Sequence, residues 1–143
     1  MSFETTMQKV FTGLNAAIYR ASKGRVGGRM FGAPVLLLHT VGRKTGKERT
    51  TPLLYLREGE RYIVVASNGG SATDPAWWPN LKAKPETTIQ VRGEIISVVA
   101  AEVSDQERSE LWSKLDAMYS GYAQYRTKTD RQFPTIALTP AGK

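Results

Sequence analysis

The residues Val41 to Thr51, VGRKTGKERTT, set Arg43, Lys44, Lys47 and Arg49 around Gly42 and Gly46, directly downstream of the apolar run PVLLL. Glycines there permit positive φ and let backbone N–H groups converge into a nest. Arginine offers a phosphate or carboxylate two parallel hydrogen bonds, and lysine adds a compact charge. The turn therefore reads as an anion cradle or as a solvated surface turn, and residue types alone leave both open. A second constellation is YSGYAQY, with Tyr119, Tyr122 and Tyr125 at steps of three. On one helix that spacing puts three phenols on a broad face. Phenols are protonated at neutral pH and can donate to a developing oxyanion, although a polar-tipped core face has the same pattern.

Other chemistries lose their footing on spacing. A Walker A loop needs four residues between its glycines and Ser or Thr after the lysine, whereas Gly42 and Gly46 enclose three and Glu48 follows Lys47. GRVGGRMFG follows no predicted strand and opens no parallel unit, so it is no dinucleotide fingerprint. His39 is the one histidine, without HExxH or triad context, and reads as a satisfied sheet residue; no metal site is expected. Trp77 and Trp78 could stack on a flat ligand, with one of them expected in the core.

These groups must be held by a chain of 143 residues with 41% hydrophobic content and no cysteine, which suits one ordered domain and excludes disulfides and thiolate chemistry. No signal-peptide pattern or membrane-spanning run is present, so a cytoplasmic location is the expectation. The net charge of +7 is uneven: residues 1–50 carry nine Lys or Arg against Glu4 and Glu48, and the remainder carries eleven of each sign. Such a field favours an anionic partner. No nucleic-acid-binding pattern accompanies it, and a nucleic-acid partner is not expected.

The apolar spacing Phe3, Met7, Val10, Phe11, Leu14, Ile18 predicts an amphipathic helix to about Ala21, followed by a basic glycine-rich loop to residue 33. Strands are expected at Val35–Val41, Thr51–Leu56, RYIVVAS, TTIQV and IISVVAAEV, with a last one in FPTIALTP. A short helix is expected within NGGSATDPAWWPNLKAKP, capped by Thr73 or Asp74 with Pro75 at its first position. Ser104 and Glu107 form a capping-box pattern opening a helix over DQERSELWSKLDAMY. Short hairpin connections imply antiparallel pairing, and so small a sheet must curl or close. The expected class is α+β, a single domain over 1–143 built on a small antiparallel barrel or roll.

Taken together, LLLHTVGRKTGKERTTPLLYL, RYIVVASNGG, DPAWWPNLKAKP and LDAMYSGYAQYRTKTDR resemble the deazaflavin-dependent nitroreductase family over about Val35 to Leu138. That resemblance implies a split β-barrel of the FMN-binding-protein type over 34–143, and reduced coenzyme F420 as hydride donor. It assigns Arg43, Lys44 and Arg49, with Gly42 and Thr45, to the coenzyme's phosphate and glutamyl tail. It assigns Ser67 to a polar contact near the deazaflavin ring and substrate, with Asn68 where relatives often carry lysine. Trp77, Trp78 and Asn80 fall beside the ring, and Tyr119, Tyr122 and Tyr125 line the acceptor pocket.

The implied reaction is hydride transfer to an electron-poor acceptor, a quinone, enone or nitro compound, with natural quinone reduction preferred. Hydroxyls of Tyr122, Tyr125 or Ser67 would stabilise or protonate the acceptor oxygen. An FMN-dependent split-barrel oxidoreductase is the nearest alternative. A membrane-surface or anion-binding role through the N-terminal helix is another, since basic residues follow its apolar stripe. Both a monomer and a homodimer are compatible with the resemblance.

Overall fold

A computed structural model describes residues 29–30 and 33–141. The helix expected over residues 3–21, and any membrane contact it makes, lies outside the described residues. Among the described residues there are eight strands: β1 (Arg29–Met30), β2 (Ala33–Val41), β3 (Glu48–Leu54), β4 (Leu56–Glu58), β5 (Arg61–Val65), β6 (Glu86–Val91), β7 (Glu94–Glu102) and β8 (Thr135–Pro140). Three α-helices accompany them among the described residues: α1 (Trp77–Ala83), α2 (Asp105–Met118) and α3 (Gly121–Arg126). All strand pairs are antiparallel, in the order β1-β2-β6-β7-β8-β5-β4, with β3 also on β2. β3 and β4 are not paired with each other, and the sheet is an antiparallel half-barrel of the split-barrel kind.

β5 is buried on both faces, which explains its continuous apolar run. Tyr62 and Val64 point to a core shared with Leu36, Leu38, Ile89, Ile136, Leu138 and the α1 residues Trp77, Trp78 and Leu81. Ile63 and Val65 point the other way, to Leu111 and Leu115 of α2, Tyr122 of α3, Phe133 and Ala137. Among the described residues the two larger cores thus lie back to back, with α1 on one side and α2 and α3 on the other, and Val35 and Leu37 form a smaller third cluster with Leu54.

Several expectations need correction. The glycine-rich loop contains β1, which extends the sheet beside Ala33 and Pro34. The run Thr51–Leu56 is divided at Tyr55, whose N–H donates to Pro34 O at 3.1 Å, so Leu56 starts a separate strand paired with β5. The first tight helix is capped neither by Thr73 nor by Asp74: its N-cap is Ala76, and Pro75 lies outside it, its carbonyl accepting from Trp78 N–H at 3.1 Å. Thr73 and Asp74 hold the preceding loop instead. Ser104 does cap α2, its hydroxyl accepting from Glu107 N–H at 3.1 Å. The reciprocal half of the box is absent, because Glu107 turns its carboxylate to Arg61 at 2.6 Å.

Candidate functional site

The basic turn joins β2 to the edge strand β3. Gly42 N–H donates to Lys47 O and Gly46 N–H to Gly42 O, each at 2.8 Å, and Gly46 has φ +72. The glycines therefore close the turn on itself, and the expected nest of N–H groups is not formed by these two. Gly42 is packed so closely that a Cβ would meet Thr45 Oγ1, whose oxygen also accepts from Lys47 N–H at 3.3 Å. What the turn presents outward is side-chain charge: Arg43, Lys44, Lys47 and Arg49 are all exposed. Arg43 is held by α1, where Asn80 Oδ1 accepts from its backbone N–H at 3.1 Å and from Nη1 at 2.9 Å. Asn80 is itself buried at 4% exposure.

Downstream of β5 the chain bends through a tight turn over Asn68–Gly70. Asn68 has φ +50 and Gly70 φ +83, and Asn68 Nδ2 donates to Thr73 O at 3.1 Å. A Cβ on Gly70 would lie 2.9 Å from the Tyr125 carbonyl, so only glycine lets this turn lie against α3. Ser67 is buried. Its carbonyl accepts from Gly70 N–H at 3.0 Å and from Arg131 Nη2 at 2.8 Å.

The tyrosines do come together, though not on one helix. α2 ends at Met118, Tyr119 is extended at φ −147 and ψ 106, and α3 begins at Gly121. The three rings pack edge to face at centroid distances of 5.0 Å (Tyr119–Tyr122), 5.9 Å (Tyr119–Tyr125) and 6.3 Å (Tyr122–Tyr125), and the Tyr119 and Tyr125 hydroxyls are 2.7 Å apart. Tyr122 is buried against Trp112. That burial first, and then the neighbouring phenols, push its pKa above the usual phenolic range.

One continuous stretch, residues 66–83, links the parts. It touches α3 at Gly70 and the basic turn at Asn80, ten residues apart. Between them Trp77 and Trp78 are both buried in the core, at 6.4 Å centroid separation, with Lys82 Nζ 5.2 Å from the Trp78 ring. The expectation that only one indole is core is thereby corrected. His39 lies in β2, Nδ1 3.2 Å from Thr50 Oγ1, as a satisfied sheet histidine. A cavity of about 400 Å³ opens between α2 and the segment after α3, lined by Trp112, Arg126, Arg131 and Phe133 among others, and none of the three tyrosines lines it.

Arg131 is the residue that spacing arguments miss. Its guanidinium reaches three carbonyls and Asp74 across the Ser67 segment. Nothing local in TKTDRQFP distinguishes it from the other basic residues.

A family model described as F420H(2)-dependent quinone reductase matches residues 12–140. An F420H(2)-dependent quinone reductase of Mycobacterium tuberculosis strain H37Rv is 42% identical over 130 residues, covering 88% of this chain and 87% of that protein. Among solved structures, an F420-H2 dependent reductase of the FDR-A group superposes with TM-score 0.67 at 37% identity, covering 73% of this chain and 93% of the other. Another, described as a domain-swapped dimer, gives TM-score 0.69 at 32% identity over 88% of this chain and 94% of the other. Among the described residues no helix is long and apolar enough to cross a membrane. A family match over most of the chain, together with a relative sharing more than two residues in five, shows that this chain belongs to the F420H(2)-dependent quinone reductase family.

Proposed function

We propose that this chain carries a hydride from F420H2 to a quinone, gripping the coenzyme's anionic end at the basic turn and receiving the acceptor beside Tyr119, Tyr122 and Tyr125. The observation that carries the division of labour is the stretch 66–83, which contacts the tyrosine-bearing helix at one end and Arg43 at the other. A bound molecule with an anionic tail and a planar ring could span both.

The residues present fit such a coenzyme. Among the described residues Lys44, Lys47 and Arg49 have no ion-pair partner, in contrast to Arg61, Arg108, Lys114, Arg126 and Arg131, which all pair with acids. Thr40 Oγ1, two residues before the turn, is buried without a hydrogen-bond partner among the described residues. A buried orphan hydroxyl is costly and gains from a ligand's polar group.

Reduced deazaflavin, when bound, supplies the hydride; the protein contributes binding, orientation and protons. Arg43, pre-set by Asn80, and its neighbours Lys44 and Arg49 hold the phosphate and glutamyl tail, with Gly42 and Thr45 shaping the turn. Ser67 and Asn68 border the ring. Tyr122, kept protonated by burial, and the hydroxyl pair Tyr119–Tyr125 offer O–H donors to charge developing on the acceptor oxygen. Quinone is the natural acceptor in this scheme, and reduction of enones or nitro compounds an incidental use of the same donors.

Fluorescence titration with F420 and with FMN, followed by mixing with F420H2 and menadione, tests the scheme. F420 binding and menadione reduction are expected. FMN binding without F420 binding at micromolar coenzyme overturns it. Arg43→Ala with Lys44→Ala should weaken F420 binding by at least ~10-fold through lost charge-assisted hydrogen bonds.

A further inference from the structure

We infer that Arg131 is a positioning residue for this reaction: it holds the segment 66–74 in the shape that sets Ser67 against the tyrosine triplet, and so governs turnover rather than coenzyme affinity. The inference rests on the reading above that Ser67 and the tyrosines face ring and acceptor.

Guanidinium carries five N–H donors in a rigid fork. In Arg131, Nε donates to Ser71 O at 3.1 Å, Nη1 to Ala66 O at 3.2 Å and also to the Asp74 carboxylate, and Nη2 to Ser67 O at 2.8 Å. Phe133 lies under the group at 4.9 Å, and the side chain is 16% exposed. An ion pair alone would need one partner. Four acceptors spread over nine residues of another segment amount to a clasp, and three of them are backbone carbonyls whose directions it sets.

That segment needs holding. Asn68 occupies the left-handed region, which costs a non-glycine residue conformational energy, and Gly70 is left-handed beside it. The segment's own hydrogen bonds are few: Gly70 N–H to Ser67 O at 3.0 Å, Ser71 N–H to Asn68 O at 3.1 Å and Asn68 Nδ2 to Thr73 O. Arg131 lies five residues after the end of α3, so it ties the segment to the element that carries Tyr122 and Tyr125. The contact of Gly70 with the Tyr125 carbonyl is the second tie. With the clasp in place, the segment that carries Ser67 is held against α3 and the chain that follows it at two points. Asp74 neutralises the guanidinium, allowing the charge to sit in a partly dry place.

Arg131→Ala and Arg131→Lys are compared with the wild-type protein in three measurements: F420 titration, steady-state reduction of menadione by F420H2, and hydrogen exchange at the Gly70 and Ser71 amides. For Arg131→Ala the coenzyme Kd should move by less than about 3-fold, because the basic turn is elsewhere. Its kcat should fall by at least ~10-fold through misplacement, and both amides should exchange faster. Methylguanidinium should restore part of the rate and methylammonium none, and Arg131→Lys should resemble the alanine variant because an ammonium cannot reach the same acceptors. Wild-type kcat per folded molecule, unchanged exchange at Gly70 and Ser71, or equal rescue by both cations would each overturn the inference. Should Arg131→Ala not fold, Asp74→Asn keeps the three carbonyl bonds and is expected to give a smaller loss of kcat with faster exchange; unchanged kcat and exchange there would overturn it. A wild-type protein that binds no F420 overturns the functional reading instead, and exchange in Arg131→Ala then still decides whether Arg131 holds this segment.

Discussion

A phenol as deeply buried as that of Tyr122 has two consequences that can be measured separately. Its raised pKa means the folded state keeps the proton where the unfolded chain, with an ordinary phenol near 10, releases it. The stability it contributes is therefore complete below about pH 10 and is lost as pH rises beyond that point. Urea midpoints taken at about pH 9 and about pH 11 should fall more for the wild type than for Tyr122→Phe, which has no proton to lose. The same variant retains the ring against Trp112 and Tyr119. F420 affinity should persist while menadione turnover drops or acceptor preference shifts, and steady-state kinetics beside a titration distinguishes this from a binding defect. At this scale the residue types were legible in the sequence: a phenol triplet and unbalanced cations announce their chemistry. Arg131 was not legible, since a basic residue gives no local sign that it faces three carbonyls.

The decisive element is the break between α2 and α3. The three-residue tyrosine spacing suggested a single helix face, but Tyr119 leaves the helix and folds its ring over Gly121, where a Cβ would collide with it. Gly121→Ala should cost ~1–3 kcal/mol by overpacking and displace Tyr119 from Tyr125, lowering turnover as well as the melting temperature. Ala123→Gly, on the exposed side of the same helix, should cost about 1 kcal/mol without the catalytic loss. At the other end of α2 the capping serine was readable from SDQE, and Ser104→Ala should cost ~1 kcal/mol in urea unfolding. Its partner was not: Glu107 serves Arg61 on β5, a choice made by the packing of helix on sheet.

Over the whole molecule, charge is divided between two tasks. Among the described residues, five cations after residue 50 pair with acids, and among these Arg61–Glu107 and Lys114–Glu58 tie α2 to the sheet while Arg126–Asp116 ties α3 to α2. The hydrogen bond from Arg61 holds the Glu107 carboxyl below its ordinary value. A lowered folded-state pKa gives stability that is present above the unfolded carboxyl's value near 4.5 and disappears as pH falls through the folded one. Acid unfolding followed by circular dichroism should consequently show less loss below about pH 4.5 for Glu107→Gln than for the wild type. The variant starts from a modestly lower midpoint at neutral pH, as befits a pair whose side chains are 30% and 34% exposed. Lys44, Lys47 and Arg49 of the basic turn stay exposed, with no ion-pair partner among the described residues.

Short β-rich runs, hairpin spacing, the Ser104 cap and the confinement of excess charge to the first fifty residues were all properties of the sequence by itself, because each is a local backbone or composition preference. They sufficed for an antiparallel α+β domain with a basic turn and a phenol cluster. Tertiary structure alone decided that Asn80 holds Arg43 from 37 positions away, and that Arg131 clasps Ser67 from 64 away. It also decided that residues 66–83 join the basic turn to the tyrosines. Contacts at such separations depend on sheet register and on which core each helix covers, and no local pattern of side chains encodes either.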